Sequence, residues 1–131
     1  MKLIFGGAYQ GKLAYALKKY NLSDEDVFHC LMGTLDIDME KTVINSLENF
    51  SRTAEEKGEN SKDTLMGIIE DTPPEKLENK IFIARDISCG IVPMDSLERS
   101  WRENHGRMLI ALAERCSKVE RVFCGIPMRL K

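Results

Sequence analysis

The sequence predicts a small three-layer α/β domain with a mostly parallel sheet of about four or five strands. Three observations carry this expectation. Four short apolar runs, Lys2–Phe5, Val27–Leu31, Lys80–Ala84 and Arg121–Cys124, are near-continuously hydrophobic rather than alternating, as strands covered on both faces are. Helical patterns lie between them, and strand–helix alternation closes into a parallel sheet through crossovers. At 131 residues the chain has the length of one domain, so residues 1–131 are read as a single unit.

Taken in order, Lys2–Phe5 is the first strand and Lys12–Tyr20, rich in helix formers, the first helix. Val27–Leu31 is the second strand. Met39, Val43, Ile44, Leu47, Phe50 and Ala54 then recur at three- and four-residue spacing, which predicts one helix stopped by Gly58. Asn60–Glu78 is polar, contains Pro73-Pro74 and has only Leu65-Met66 and Ile68-Ile69 to bury, so a short helix and a surface connection are expected. After the strand at Lys80–Ala84, a long helix starts at Asp95, a capping residue with Glu98 three positions on. It presents Leu97, Trp101, Met108, Leu109, Leu112 and Ala113 on one face and is interrupted at Gly106. Arg121–Cys124 closes the sheet.

Composition excludes several functions. With 43% hydrophobic and 31% charged residues the chain is that of a soluble globular protein. A net charge of -2 supplies no basic field for nucleic acid or a membrane surface, so neither is expected as a partner. The first apolar run ends in glycines after Leu3-Ile4-Phe5, too short for a signal peptide or a spanning helix, so a cytoplasmic protein is expected. Cys30, Cys89, Cys116 and Cys124 are scattered without a C-x-x-C pair, which reads as reduced, mostly buried thiols.

Directly after the first strand comes Gly6-Gly7-Ala8-Tyr9-Gln10-Gly11-Lys12-Leu13, which matches G-x-x-x-x-G-K and then lacks the final Ser/Thr. Glycines let backbone N–H groups curl round phosphate oxygens, the helix N-terminus adds partial positive charge, and the lysine reaches the outer phosphates. All eight residues are therefore candidate binding residues for ATP or GTP, and Lys12 is the candidate catalytic residue. Leu13 offers hydrocarbon where magnesium needs hard oxygen. The strand before and helix after give a P-loop NTPase-like context, against the plainer reading of a glycine turn with an exposed lysine.

The other end of the chain carries a more specific signal. Asp86-Ile87-Ser88-Cys89-Gly90-Ile91-Val92-Pro93 is followed by Arg102-Glu103, Gly106-Arg107, Leu112-Ala113 and Gly125-Ile126-Pro127-Met128-Arg129-Leu130-Lys131. These stretches resemble the adenosylcobinamide kinase/adenosylcobinamide-phosphate guanylyltransferase family of cobalamin assembly. That family shows E-V-G-x-G-I-V-P, R-D-x-x-G and a closing G-x-P-x-x-L, and Gly6-Gly7 with Gly11-Lys12 match its N-terminal G-G-x-x-S-G-K-S. The resemblance covers about half the chain. It implies a nucleotide, a corrinoid-type small molecule as a further ligand and, since members assemble as trimers, a homo-oligomer.

The middle departs from the family. A second strand and a helix carrying the guanylylated histidine stand there between the first helix and the second nucleotide strand. Here Tyr20-Asn21-Leu22-Ser23-Asp24 leads almost at once to Val27-Phe28-His29-Cys30-Leu31. Aligned so, the block is deleted and His29 occupies the place of the family's Walker B-like aspartate, leaving magnesium without either usual ligand. His29 is then a core or pocket histidine, and His105 a solvent-exposed one on a polar helix face. Asp86 replaces the family's Glu in a loop after a strand, where open α/β sheets place ligands, and is the second candidate catalytic residue. Asp36 and Asp38 are substitute magnesium candidates, with capping of the following helix as the plainer role.

Three functions follow. The first is a degenerate relative that binds phosphate or a nucleotide without guanylyl transfer. The second is a working cobinamide-type kinase with non-standard magnesium ligands. The third is an interaction protein on a P-loop scaffold.

Overall fold

A computed structural model describes residues 1–87 and 94–131. Its elements in chain order are β1 (Lys2–Gly6), α1 (Lys12–Lys19), β2 (Val27–His29), β3 (Val43–Asn45), α2 (Leu47–Glu56), α3 (Ser61–Glu70), α4 (Pro74–Leu77), β4 (Ile81–Arg85), α5 (Ser96–Arg115), β5 (Lys118–Phe123) and β6 (Ile126–Arg129). The strands form one six-stranded sheet in the order β2-β3-β4-β1-β5-β6. Every pairing is parallel except that of β5 with β6. This is the expected P-loop NTPase-like α/β architecture, with one strand more than the four or five predicted.

Burial explains the layers. On one face Leu3, Ile44, Phe82 and Ala84 meet Phe50 of α2, Leu65 and Ile69 of α3, and Met108 and Leu112 of α5, all buried. On the other, Ile4, Val43, Ile81, Ile83 and Val122 pack under Ala16 of α1, with Leu13 and Leu17 against them. Alternate residues of β1, β3 and β4 thus divide between two cores, which is why these strands are hydrophobic throughout. Among the described residues no helix is long and apolar enough to cross a membrane.

Two strands escape the sequence pattern. The helix predicted from Met39 begins only at Leu47, because Val43 and Ile44 are buried on opposite faces of β3. Ser46, with φ 63°, makes the break between strand and helix. Two β-branched residues are too short a run to override the helical spacing around them. β6 carries Pro127, which suits an edge strand, and joins β5 through Cys124-Gly125, both at positive φ (52° and 73°) as a type I′ hairpin turn requires. The usual Asn-Gly signal is absent there. Cys30 and Cys116 are buried and Cys124, in the turn, is exposed, within the expectation of mostly buried thiols; Cys89 lies outside the described residues.

α5 runs unbroken through Gly106, so the predicted interruption does not occur. Asp95 Oδ1 accepts the N–H groups of Leu97 (2.7 Å) and Glu98 (3.3 Å), as a cap should. Glu98 does not complete a box; its carboxylate pairs with Arg52 of α2, whose guanidinium lies 5.1 Å over the Trp101 ring.

β1 sits at the centre, and the chain leaves it toward β2 on one side and returns past it to β5 on the other. The C-terminal end of β1 is therefore a topological switch point, where open sheets leave a crevice. A Cβ at Gly6 would overlap the carbonyl oxygen of Val122 in the neighbouring β5. Backbone cannot give way as a flexible side chain would. Gly6→Ala is expected to cost about 1–3 kcal/mol by overpacking and to lower the melting temperature, whereas Gly106→Ala, with open space around it, should not; thermal melts of the two variants check this.

Candidate functional site

The loop between β1 and α1 is braced from outside itself. The Gln10 carbonyl accepts the Gly125 N–H (2.9 Å) and its side-chain Oε1 accepts the Cys124 N–H (2.6 Å), so the β5–β6 turn holds it down. Gly11, at φ 83°, turns the chain into α1. Tyr9 is fully exposed at the loop tip, and Lys12 folds back so that Nζ donates to the Gly7 carbonyl at 2.7 Å. The residues predicted from the motif thus form one continuous turn.

From Ala8 onward they open onto a cleft of about 430 Å³, within the size range of small-molecule sites, whereas Gly6 and Gly7 do not line it. Ala8 to Ala14 form one wall. Asn45, Ser46, Glu48 and Arg85 form the other. Val43 and Ile83 lie in the core under α1, so strand alternation carries Asn45 and Arg85 to that same face at the C-terminal ends of β3 and β4. Glu48, in the first turn of α2, accepts the Arg85 N–H on Oε1 at 2.9 Å. Burial lowers the Lys12 ammonium's pKa, Glu48 partly restores it, and Arg85 lowers it again. Two cations and one carboxylate leave the cleft short of negative charge. Neither Asn45, Glu48 nor Arg85 belongs to a motif, although a charged residue ending an apolar strand at the switch-point edge is the signal that singles out Arg85.

Magnesium, which the resemblance implies, does not fit this donor set. Leu13 packs its side chain toward the core under α1, Asn45 offers an amide, and the remaining oxygens are the Ser46 hydroxyl and the single carboxylate of Glu48, whose Oε1 already accepts the Arg85 main-chain N–H. Among the described residues no group of three or more acidic, His or Cys side chains could hold a metal. Hard divalent cations want several oxygens at once.

Other candidates are placed elsewhere. Asp38 does not cap a helix; its Oδ1 accepts the Glu40 N–H (3.0 Å) in a loop. That loop lies at the opposite, N-terminal ends of the strands, where Lys80, just before β4, donates to the carbonyls of Met39 and Lys41. Asp36 likewise caps no helix, and its N–H donates to Thr34 Oγ1 at 3.1 Å. Neither lines the cleft. Asp86 donates its N–H to the Gly6 carbonyl (2.8 Å), and alternation past Arg85 turns its carboxylate to the α5 face, where it acts on His105. Residues 88–93, which carry the whole of Gly90-Ile91-Val92-Pro93, lie outside the described residues.

His29 is exposed at the end of edge strand β2 rather than buried, and it does not line the cleft. Its register partner is Asn45, whose Nδ2 lies 3.1 Å from His29 Nδ1; an amide nitrogen only donates, so the imidazole accepts. The strand flanking the cleft is β3, not β2, so Asn45 takes the position that the sequence alignment gave to His29. The shortened segment moves accordingly, to residues 30–42 between β2 and β3, which contain no helix.

His105 reverses its expected place as well, being 2% exposed. Nε2 lies 2.9 Å from the Arg85 carbonyl, so it carries a proton, and Nδ1 lies 2.7 Å from Ser51 Oγ. That hydroxyl also accepts Trp101 Nε1–H (2.9 Å) and lies 3.1 Å from the Glu48 carbonyl. The network fixes the start of α2 and the end of β4 together. A polar residue one step from Met108's helical face was the only cue, since His and Trp at i, i+4 share a side of the helix. Burial pushes the Cys30 thiol up to about 12 and Cys116 to about 11, so neither is a ready nucleophile.

A three-layer P-loop NTPase-like domain with a glycine loop and two cations at its switch point is the class of protein that fold and site define. The model of the family described as cobinamide kinase / cobinamide phosphate guanyltransferase matches residues 37–130, and the chain belongs to that family. The match begins after Gly6–Leu13. The bifunctional adenosylcobalamin biosynthesis protein CobP of Pseudomonas aeruginosa is 35% identical over 51 residues, which are 39% of this chain and 30% of that protein. The aligned stretch thus spans less than a third of that relative's length.

The buried imidazole makes a pH prediction. Burial holds the His105 pKa below 6.5, outweighing the Arg85 carbonyl and the nearby charges of Glu48 and Asp86. The unfolded chain therefore takes up a proton first as pH falls. Stability conferred by neutral His105 is complete above 6.5 and declines as pH drops from there toward the folded-state value. Melting temperatures measured from about pH 7.5 to about pH 5 should fall more steeply for the wild type than for His105→Gln; parallel curves would contradict this.

Proposed function

We propose that the chain binds the phosphates of ATP, GTP or a related phosphate compound at Gly6–Leu13 and does not form a covalent guanylyl adduct. The observation that carries this reading is the convergence of the glycine loop, Lys12 and Arg85 on one cleft whose magnesium positions hold Leu13 and Asn45. Loop N–H groups and the N-terminus of α1 suit phosphate oxygens, and the lysine adds charge that strengthens those hydrogen bonds. The absence of a helix in residues 30–42 and the place of His29 on a strand outside the cleft both argue against a family-type transfer element. A working kinase is less well supported, because a metal offsets charge on the transferring phosphoryl group and Asp36 and Asp38 lie outside the cleft. The unpaired thiols of Cys30, Cys116 and Cys124 suit a reducing cytoplasmic compartment.

Calorimetric titration with ATP, GTP and inorganic pyrophosphate tests the proposal. Lys12→Ala removes a charge-assisted contact, so affinity should fall ten- to a hundredfold, about 1.5–3 kcal/mol. An unchanged affinity would move the site elsewhere. The same protein, incubated with labelled GTP and run under denaturing conditions, should retain no label.

A further inference from the structure

We propose that the Arg85 guanidinium takes the place of the metal ion, so that the cleft selects the metal-free, fully ionised di- or triphosphate end of a nucleotide over its magnesium complex. This rests on the preceding reading that the loop binds phosphate.

Arg85 is built into the cleft by its main chain. Its N–H donates to Glu48 Oε1 at 2.9 Å and its carbonyl accepts from His105 Nε2 at 2.9 Å, so both polar backbone atoms are fixed. The side chain is exposed, lines the cleft opposite Lys12, and forms no ion pair with any carboxylate among the described residues. A guanidinium left without an anion beside a second cation is a site arranged for a ligand that brings the negative charge. Its planar fork can hold two phosphate oxygens at once, the bridging task that magnesium performs elsewhere. An added Mg²⁺ would meet two cations and one engaged carboxylate. It would also remove two negative charges from the ligand and so weaken its attraction to Lys12 and Arg85. A cis-acting arginine can thus stabilise phosphate without any of the hydroxyl and aspartate ligands that Leu13 and Asn45 replace.

Calorimetry with inorganic tripolyphosphate and with ATP, in EDTA and in excess magnesium at equal ionic strength, separates the two chemistries. Wild-type protein should bind both compounds more tightly in EDTA. Arg85→Gln should lose about tenfold to a hundredfold in EDTA and much less in magnesium, with Arg85→Lys between them. Because the structural hydrogen bonds of Arg85 are made by its backbone, both variants should melt near the wild type. If either fails to, a two-state comparison of wild-type binding in EDTA and in magnesium still decides. Magnesium-strengthened binding by the wild type, or wild-type affinity of a folded Arg85→Gln in EDTA, overturns the proposal while leaving the phosphate loop standing. Absence of binding in both buffers overturns the loop reading and the proposal together.

Discussion

The architecture turns on the missing side chain at Gly6. At the end of the central strand β1, the main chain passes so close to the Val122 carbonyl of β5 that only hydrogen fits on Cα. From that point three contacts radiate. The Gly6 carbonyl receives the Asp86 N–H from the end of β4, the turn after β5 grips Gln10, and Gly11 redirects the chain into α1. A bulkier residue would push β5 away and loosen the brace on the loop at the same time. Packing of the sheet and the shape of the cleft are therefore one problem.

The second organising element is polar. Ser51, Trp101 and His105 tie α5 to α2 and to the last carbonyl of β4. Such a buried cluster is costly unless each donor and acceptor is used, and here every group has a partner of the right kind. The Ser51 hydroxyl lies within reach of both His105 Nδ1 and the Glu48 carbonyl, and it donates to the imidazole while that ring is neutral. The effect reaches the cleft because Arg85 and Glu48, the residues fixed by this network, are the ones that line it.

Much of this was legible in the sequence, where physics acts locally. Continuous apolar runs revealed β1, β2, β4 and β5, and Asp95 announced α5. The glycine loop was legible because its chemistry demands residues at fixed spacing. What stayed hidden depends on partners distant in the chain. β3 is two buried residues inside a helical-looking pattern, and only its seat between β2 and β4 makes it a strand. The same omission moved the alignment by one strand, which gave His29 the place that Asn45 holds. His105 looked exposed because its neighbours in sequence are polar, whereas its hydrogen-bonding partners are Ser51 and Arg85, far away along the chain. Arg85 and Glu48 share no motif and meet only through the fold.

On the reading proposed above, the site keeps the backbone half of a phosphate-binding apparatus and exchanges the metal half for the Arg85 guanidinium. Membership of the cobinamide kinase / cobinamide phosphate guanyltransferase family explains the scaffold, and the substitutions within the cleft define how this chain differs. The most direct test of that account is a map of backbone amide chemical shifts as inorganic pyrophosphate is added in EDTA. The account predicts that the largest changes fall on Gly7 to Leu13, Asn45 and Arg85, with Asp36 and Asp38 unmoved. Changes centred on the apolar hollow lined by Leu109 and Leu130, or a loop that does not respond, would contradict it.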